Sequence, residues 1–376
     1  MRKLTYSTLI LSIAMLFLMH CNKKQEESYT IKGKVDGFKD STMLFLRDSK
    51  KEKKIDSTYI VEGKFEFQGQ VEEPRTMMVF TKFEKGKRPV YTSFWVENSN
   101  IKLKGDADNF KYAKVTGSSP QKKADILSEK VKPYNKKRDS LIQEFRKMRK
   151  EGAEPEKQTK IRNEIRKADS IRSKLEMEFI KNHTNSYEAL QRLTNKKNSI
   201  SEDTLQKLYK SMKPKYQKSS YGQVISTYLN VEKAKIGEHF INFKANTMKG
   251  DSFQLSEIKD KYIILDFWSP GCGFCRKANK FFAKEYSGLQ DSIEIVGFAL
   301  SKNKDRIEKA IQEDNIQWPV ASTFKGMDGE IALKYEIRGV PTFYIISPSG
   351  EIIDKIVGFS QKQYEKIMAT IENHKI

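Results

Sequence analysis

The sequence predicts three folded parts: an N-terminal antiparallel β-sandwich, a helical middle segment containing an antiparallel hairpin, and a C-terminal α/β domain. Three observations predict it. Residues 28 to 118 alternate apolar and polar side chains in short runs punctuated by Gly and Asp. Residues 120 to 235 are strongly charged, with apolar positions stepping by four and three. From Tyr262 an apolar run closes on Ser-Pro-Gly-Cys-Gly-Phe-Cys and gives way, from Arg276 to Tyr286, to a stretch of helical character.

The chain begins with a leader, residues 1–21. Arg2 and Lys3 precede an apolar core from about Leu9 to Met19, and Cys21 follows at once after Leu18-Met19-His20. The core is shorter than the about 20 apolar residues a spanning helix needs, so it reads as a lipoprotein signal peptide with Cys21 as the lipidation site. His20 stands where a small residue is preferred, which leaves an ordinary cleaved signal or an uncleaved anchor as alternatives. Each of these exports the chain, placing it in the periplasm or cell envelope, lipid-anchored to a membrane in the lipoprotein reading. The net charge of +21 over 376 residues would suggest nucleic acid in a cytosolic protein. Export removes that partner, and no aromatic-basic recognition motif accompanies the charge. It is read as a solvated face, with anionic membrane or glycan surfaces as the alternative.

Strands are expected in "YTIKGKV", "MLFLRD", "GKFEFQGQV", "TMMVF", "FWVENSNIKLKG" and "KVTGS", forming a sandwich over residues 28–118. This part holds no Cys, no His and no paired-carboxylate motif, so it reads as a binding or spacing module. Residues 119–235 follow as a helical hairpin and connecting helices. Leu127, Val131, Tyr134, Arg138, Leu141, Phe145 and Met148 form one stripe; Ile161, Ile165, Ala168, Arg172, Leu175 and Phe179 form another. The stripes mirror each other around Gly152-Ala153-Glu154-Pro155. Pairing Phe145 with Ile161 and Leu127 with Phe179 keeps one register, as an antiparallel hairpin requires. Pro133 predicts a kink in the first arm, or a helix that begins there. The role expected is a structural spacer, with partner docking as the alternative.

In the C-terminal part, residues 236–376, the strand-to-helix turn places Cys272 at a helix N-terminus. Exposed N–H groups and the helix macrodipole there favour a thiolate. Cys275, one turn further in, is placed to attack a mixed disulfide formed by Cys272, so dithiol and disulfide interconvert without metal or cofactor. Half of a zinc site is the competing reading, but His183, His239 and His374 are widely scattered and no third cysteine follows the leader. Paired structural cysteines are the other.

From about Ile236 to Ile376 the chain resembles thioredoxin-fold proteins of the TlpA/ResA type, within the broader AhpC/TSA group that also contains the peroxiredoxins. "IGEHFINFKANTMKGDSFQLSEIKDKYIILDFW" is similar to the family's lead-in hairpin and first core strand, and "EIALKYEIRGVPTFYIISPSGEIIDKIVGF" to its helix, cis-proline turn and last two strands. The resemblance implies a thioredoxin-like α/β fold and a thiol-disulfide oxidoreductase. It implies that Asp266 is a buried carboxylate behind Cys275 that takes that thiol's proton. Trp268, packing under the active-site turn, and the Val340-Pro341 cis-peptide would form the substrate-binding set. The N-terminal part resembles the β-rich domain of unknown function that often precedes such domains in Gram-negative lipoproteins. Two departures from the family stand at the turn. Gly271 replaces a common tryptophan, predicting a more open nucleophile, and Phe274 lies between the cysteines. The peroxiredoxin pattern Pro-x-x-x-Thr/Ser-x-x-Cys is half met, by Ser269 but with Leu265 in the proline position, which argues against peroxide activation.

The function expected is exported reduction of protein disulfides by Cys272 and Cys275, re-reduced by a membrane electron donor or another thiol-disulfide protein. Oxidation would use the same residues. The alternative from another class is an envelope binding or scaffold lipoprotein with a secondary redox domain.

Overall fold

A computed structural model of the chain describes residues 27–82 and 89–375. The leader and Cys21 lie outside the described residues. Strands β1 (Tyr29–Asp36), β4 (Lys64–Gly69), β7 (Asn100–Asp106) and β8 (Lys114–Thr116) form one sheet in the order β4-β1-β7-β8. Strands β2 (Met43–Asp48), β3 (Lys53–Tyr59), β5 (Arg75–Thr81) and β6 (Tyr91–Val96) form the second, in the order β3-β2-β5-β6. Inward residues of both sheets, among them Ile31, Phe67 and Leu103 from one and Leu46, Val79 and Phe94 from the other, share one apolar core. This is the face-to-face burial that alternating patterns demand. One pairing departs from the antiparallel expectation. β1 and β7 run parallel, because the chain crosses into the second sheet before β7 returns beside β1.

The middle segment is helical: α1 (Ser119–Lys150), α2 (Pro155–Asn182), α3 (Tyr187–Lys196), α4 (Glu202–Lys210), α5 (Pro214–Gln217) and α6 (Ser220–Asn230). Ser118 caps α1 by accepting the Gln121 N–H, and Pro120 occupies its first turn, where no N–H is needed. The helix neither begins nor ends at Pro133 but runs through it. The carbonyl that Pro133 leaves unpaired belongs to Glu129, an exposed residue, so water can satisfy it. α1 and α2 pack as an antiparallel hairpin in the expected register. Arg138 Nε meets Asp169 Oδ1 at 2.8 Å, and the Arg162 guanidinium sits over the Phe145 ring. Trp95 of β6, Leu127 of α1, Phe179 of α2, Leu190 and Leu193 of α3 and Leu333 near the C-terminal sheet join one core, which ties all three parts together.

The C-terminal domain has a seven-stranded mixed sheet in the order β10-β9-β13-β12-β11-β14-β15. Its strands are β9 (Lys244–Thr247), β10 (Ser252–Gln254), β11 (Tyr262–Trp268), β12 (Ile293–Ala299), β13 (Val320–Ser322), β14 (Thr342–Ile346) and β15 (Ile352–Val357). Its helices are α7 (Gly273–Leu289), α8 (Lys304–Asp314), α9 (Glu330–Lys334) and α10 (Gln361–His374). All seven residues of β11 are buried, as a central strand covered on both faces requires. Its even-numbered positions Tyr262, Ile264 and Trp268 pack with α7, α8 and α10; its odd-numbered positions Ile263, Leu265 and Phe267 pack with α9 and the lead-in segment. This is the thioredoxin-like arrangement. Leu265, at the position where peroxiredoxins carry proline, is a core residue of the central strand.

Candidate redox site

The central strand ends at Trp268, and the turn Ser269-Pro270-Gly271 delivers Cys272 to the start of α7. Cys272 is the N-cap: its backbone is extended, and its Sγ accepts the Cys275 N–H at 3.1 Å. That bond uses one of the orphan donors at a helix start. Cys272 and Cys275 are joined in a disulfide. The two sulfurs differ in environment, since Cys272 is half-buried at the surface whereas Cys275 is fully buried among the apolar side chains of α7 and β11. The amide and the macrodipole therefore act on the sulfur that an incoming molecule can reach.

The Val340–Pro341 peptide is cis and lies beside this sulfur, with the Val340 carbonyl oxygen 3.4 Å from Cys272 Sγ. The Pro341 side chain is buried and Val340 half-buried. The carbonyl of Pro341 is engaged by the Gly358 N–H, so Val340 presents the nearer free edge.

Asp266 sits two residues before Trp268 on the even-numbered face of β11, the face that packs against Cys275. It is 1% exposed, its Oδ1 has no hydrogen-bond partner, and burial pushes its carboxyl well above the usual carboxylate range. In the β11–β12 register it stands beside Gly297. A Cβ on Gly297 would come 3.1 Å from Trp268 Nε1 and 3.4 Å from Trp318 Nε1, so the missing side chain is what lets two indoles close over the strand next to Asp266. Both indole N–H groups also lack partners. Trp268, placed in the substrate-binding set on sequence grounds, is fully buried. Its ring has no exposed surface here and lies in the helix-facing cluster against which Cys272 also packs.

Two positively charged residues follow the cysteines directly. Arg276 binds Asp314 through Nε and Glu313 Oε2 through Nη2 at 2.8 Å, which pins α7 to the end of α8. Lys277 stands over the ring of Phe274, a residue 62% exposed on the outer rim of the turn. Gly271 is exposed, and the tip of one side chain borders it: a Cβ there would lie 3.0 Å from Arg306 Nη2, so a guanidinium from α8 stands at the edge of the expected opening. Arg306 in turn pairs at 3.8 Å with Glu52, in the β2–β3 turn of the N-terminal sandwich, and Glu52 accepts the Ser301 hydroxyl at 3.1 Å. Sequence reasoning missed Glu52, Ser301 and Arg306. They come from separate segments with no shared motif, and only the packing of the domains brings them together.

The strand, redox turn and cis-proline all lie within residues 236–355, which match the AhpC/TSA family. The C-terminal domain is similar to that family over those residues. Residues 29–124 match a domain of unknown function, DUF4369, which covers the sandwich and the start of α1. The AhpC/TSA domain is similar to the thiol-disulfide oxidoreductase ResA of a Bacillus cereus strain, 25% identical over 137 residues, covering 36% of this chain and 78% of that protein. It is also similar to ResA of Bacillus subtilis, 23% identical over 134 residues, covering 35% and 73% respectively. Among solved structures, the thioredoxin domain of a thiol-disulfide oxidoreductase from Bacteroides vulgatus covers 38% of this chain and 99% of its own, at 26% identity and a TM-score of 0.34.

Proposed function

We propose that this chain is an exported thiol-disulfide oxidoreductase that reduces protein disulfides through Cys272 and Cys275. The observation that carries the reading is the asymmetry of the two sulfurs: Cys272 is reachable, N-capping and hydrogen-bonded, and Cys275 is wholly buried behind it. The ResA-type oxidoreductase activity named for its relatives supports the same chemistry.

In the reductive direction the Cys272 thiolate attacks one sulfur of a client disulfide. The client S–S bond breaks, a mixed disulfide forms, and the departing client thiolate takes a proton from solvent. Cys275 then gives its proton to the ionised form of Asp266 and attacks Cys272 Sγ. The mixed disulfide breaks, the second client thiolate leaves and is protonated, and the protein retains the Cys272–Cys275 disulfide. Two electrons have passed to the client. They are restored by a membrane electron donor or another thiol-disulfide protein, whose own dithiol becomes a disulfide in exchange. Val340 aligns the client segment beside Cys272 by its backbone, Pro341 holds that backbone in place through the cis bond, and Phe274 offers the client an apolar rim. A lipid on Cys21 would keep the enzyme at the membrane that supplies its electrons. The fully mature chain with Cys275→Ser is expected to trap a client as a mixed disulfide on Cys272, and the wild-type chain to reduce insulin disulfides with dithiothreitol as donor. Trapping on Cys275 in a Cys272→Ser chain would reverse the assignment of roles.

A binding or scaffold role is the second reading, and one observation favours it. An open groove of about 460 Å³ on the outer face of the first sheet is rimmed by Lys32, Lys34, Lys64 and Lys104 around Tyr59 and Val61. A chain that binds clients there without turning over disulfides would leave insulin unreduced.

A further inference from the structure

The redox turn is built by the C-terminal domain, yet one side chain at its rim is held from the other end of the molecule. Gly271 directly precedes Cys272, and Arg306 Nη2 lies 3.0 Å from where a Gly271 Cβ would be. The Arg306 backbone is fixed at the start of α8, its N–H donating to the N-cap Asn303 Oδ1 at 3.0 Å. Its side chain pairs with Glu52 of the β2–β3 turn. Glu52 has a left-handed backbone, with φ of 53°, and is anchored to the buried Ser301. A non-glycine residue in that region is uncommon and costs energy unless its surroundings demand it. Here the β2–β3 turn supplies that conformation, and the side chain it projects meets the Ser301 hydroxyl and the Arg306 guanidinium of the C-terminal domain.

Other charges stand near the turn. From α7, Arg276 pairs with Asp314 and Glu313, and Lys277 stands over the ring of Phe274, itself a residue of the turn. Lys302, next to Ser301, is paired with Asp328 at 3.4 Å. Arg338, two residues before Val340, is exposed. From β11, burial favours the neutral form of Asp266. The Arg306 guanidinium stands against Gly271, the residue before Cys272, and its carboxylate partner comes from the N-terminal sandwich.

We propose that Glu52 of the N-terminal sandwich holds Arg306 over the active-site turn, so that the N-terminal domain sets the reactivity of Cys272. Arg306 is a positioning residue whose charge favours the thiolate. Glu52 acts through it from another domain. This gives the sandwich, which carries no chemistry of its own, a part in the redox site. The proposal rests on Cys272 being the nucleophile, and its test needs neither client nor turnover.

The test is the pH profile of Cys272 alkylation by iodoacetamide in the full chain carrying Cys275→Ser. At a pH below the thiol's midpoint, Arg306→Ala is expected to slow alkylation roughly three- to tenfold, the effect of removing one nearby cation at a partly solvated site, and to move the midpoint up. Arg306→Lys, which keeps the charge, should recover most of that loss; a merely structural arginine would not be rescued in this profile. In the Glu52→Ala background the Arg306→Ala effect should shrink, since the guanidinium is no longer held in place. An unchanged profile in Arg306→Ala, or an effect of equal or larger size without Glu52, would overturn the proposal. Failure of insulin reduction with these profiles intact would instead count against the oxidoreductase reading alone.

Discussion

Asp266 shows how one buried side chain couples stability to chemistry. Its carboxyl sits without an Oδ1 partner on the inner face of β11, and burial raises its affinity for a proton. Between the ordinary carboxylate range and its raised native value, the unfolded chain releases this proton while the native chain keeps it. Stability therefore falls as pH rises through that window, the reverse of a salt-bridged carboxylate. Asp266→Asn removes the titration. It is expected to raise the urea midpoint more at pH 8 than at pH 5, and to slow resolution of the mixed disulfide by about 10²-fold while leaving the attack by Cys272 nearly unchanged. Stopped-flow kinetics separates the two steps. Equal resolution rates in both chains would leave Asp266 a structural residue.

The α1–α2 hairpin and the short helices behind it are built on different footings. Along most of the hairpin the stripe residues are only half-buried, and its ion pairs, such as Lys132–Glu129, are exposed and worth a few tenths of a kcal/mol each. At its base the packing is deep. Glu188 of α3, 2% exposed, accepts the Trp95 indole N–H at 2.6 Å and the Arg192 Nε–H at 2.7 Å, while Arg192 also binds Glu176. Glu188→Ala would leave a buried indole N–H unpaired and strip Arg192 of its inner partner. A loss of about 3 kcal/mol is expected, against less than about 0.5 kcal/mol for Glu129→Ala, by denaturant midpoint. Similar losses for both would mean that Glu188 does not join the helices to the sandwich.

The molecule as a whole is held together by that central helical core, which touches β6 on one side and α9 on the other. Tyr228 donates to Glu336 at 3.0 Å, and Lys50 bridges to Glu73, itself bound to Ser220. The sandwich, the helices and the redox domain are thus in contact at several points, and the Glu52–Arg306 pair is one of them. Among the described residues, no helix is long and apolar enough to cross a membrane. Attachment would fall to the leader, and mass spectrometry of membrane-extracted protein is expected to find lipid on Cys21. A mature chain whose N-terminal residue carries no lipid would remove the anchor from the proposed function.

Sequence alone specifies what is local and periodic in this protein. Alternation at period two marks the strands of the sandwich, steps of three and four mark both arms of the hairpin with their register, and an apolar run ending in CxxC marks the strand, turn and helix that carry Cys272 and Cys275. These follow from side-chain burial and helix-end chemistry within a few residues, so they are readable without coordinates. Resemblance to a known family extended the reading to Asp266 and the Val340–Pro341 turn. The tertiary structure decided the rest, because it depends on residues far apart in the chain. The parallel pairing of β1 with β7 and the complete burial of Trp268 depend on what packs against the element, and the uninterrupted helix at Pro133 on the solvent that reaches Glu129. The same holds for the surroundings of Gly271, read from sequence as an opening: its edge is bordered by an arginine 35 positions later in the chain, paired with a glutamate from the first domain. No pattern along the chain encodes that contact, since a charge pair between domains is set by how their surfaces meet.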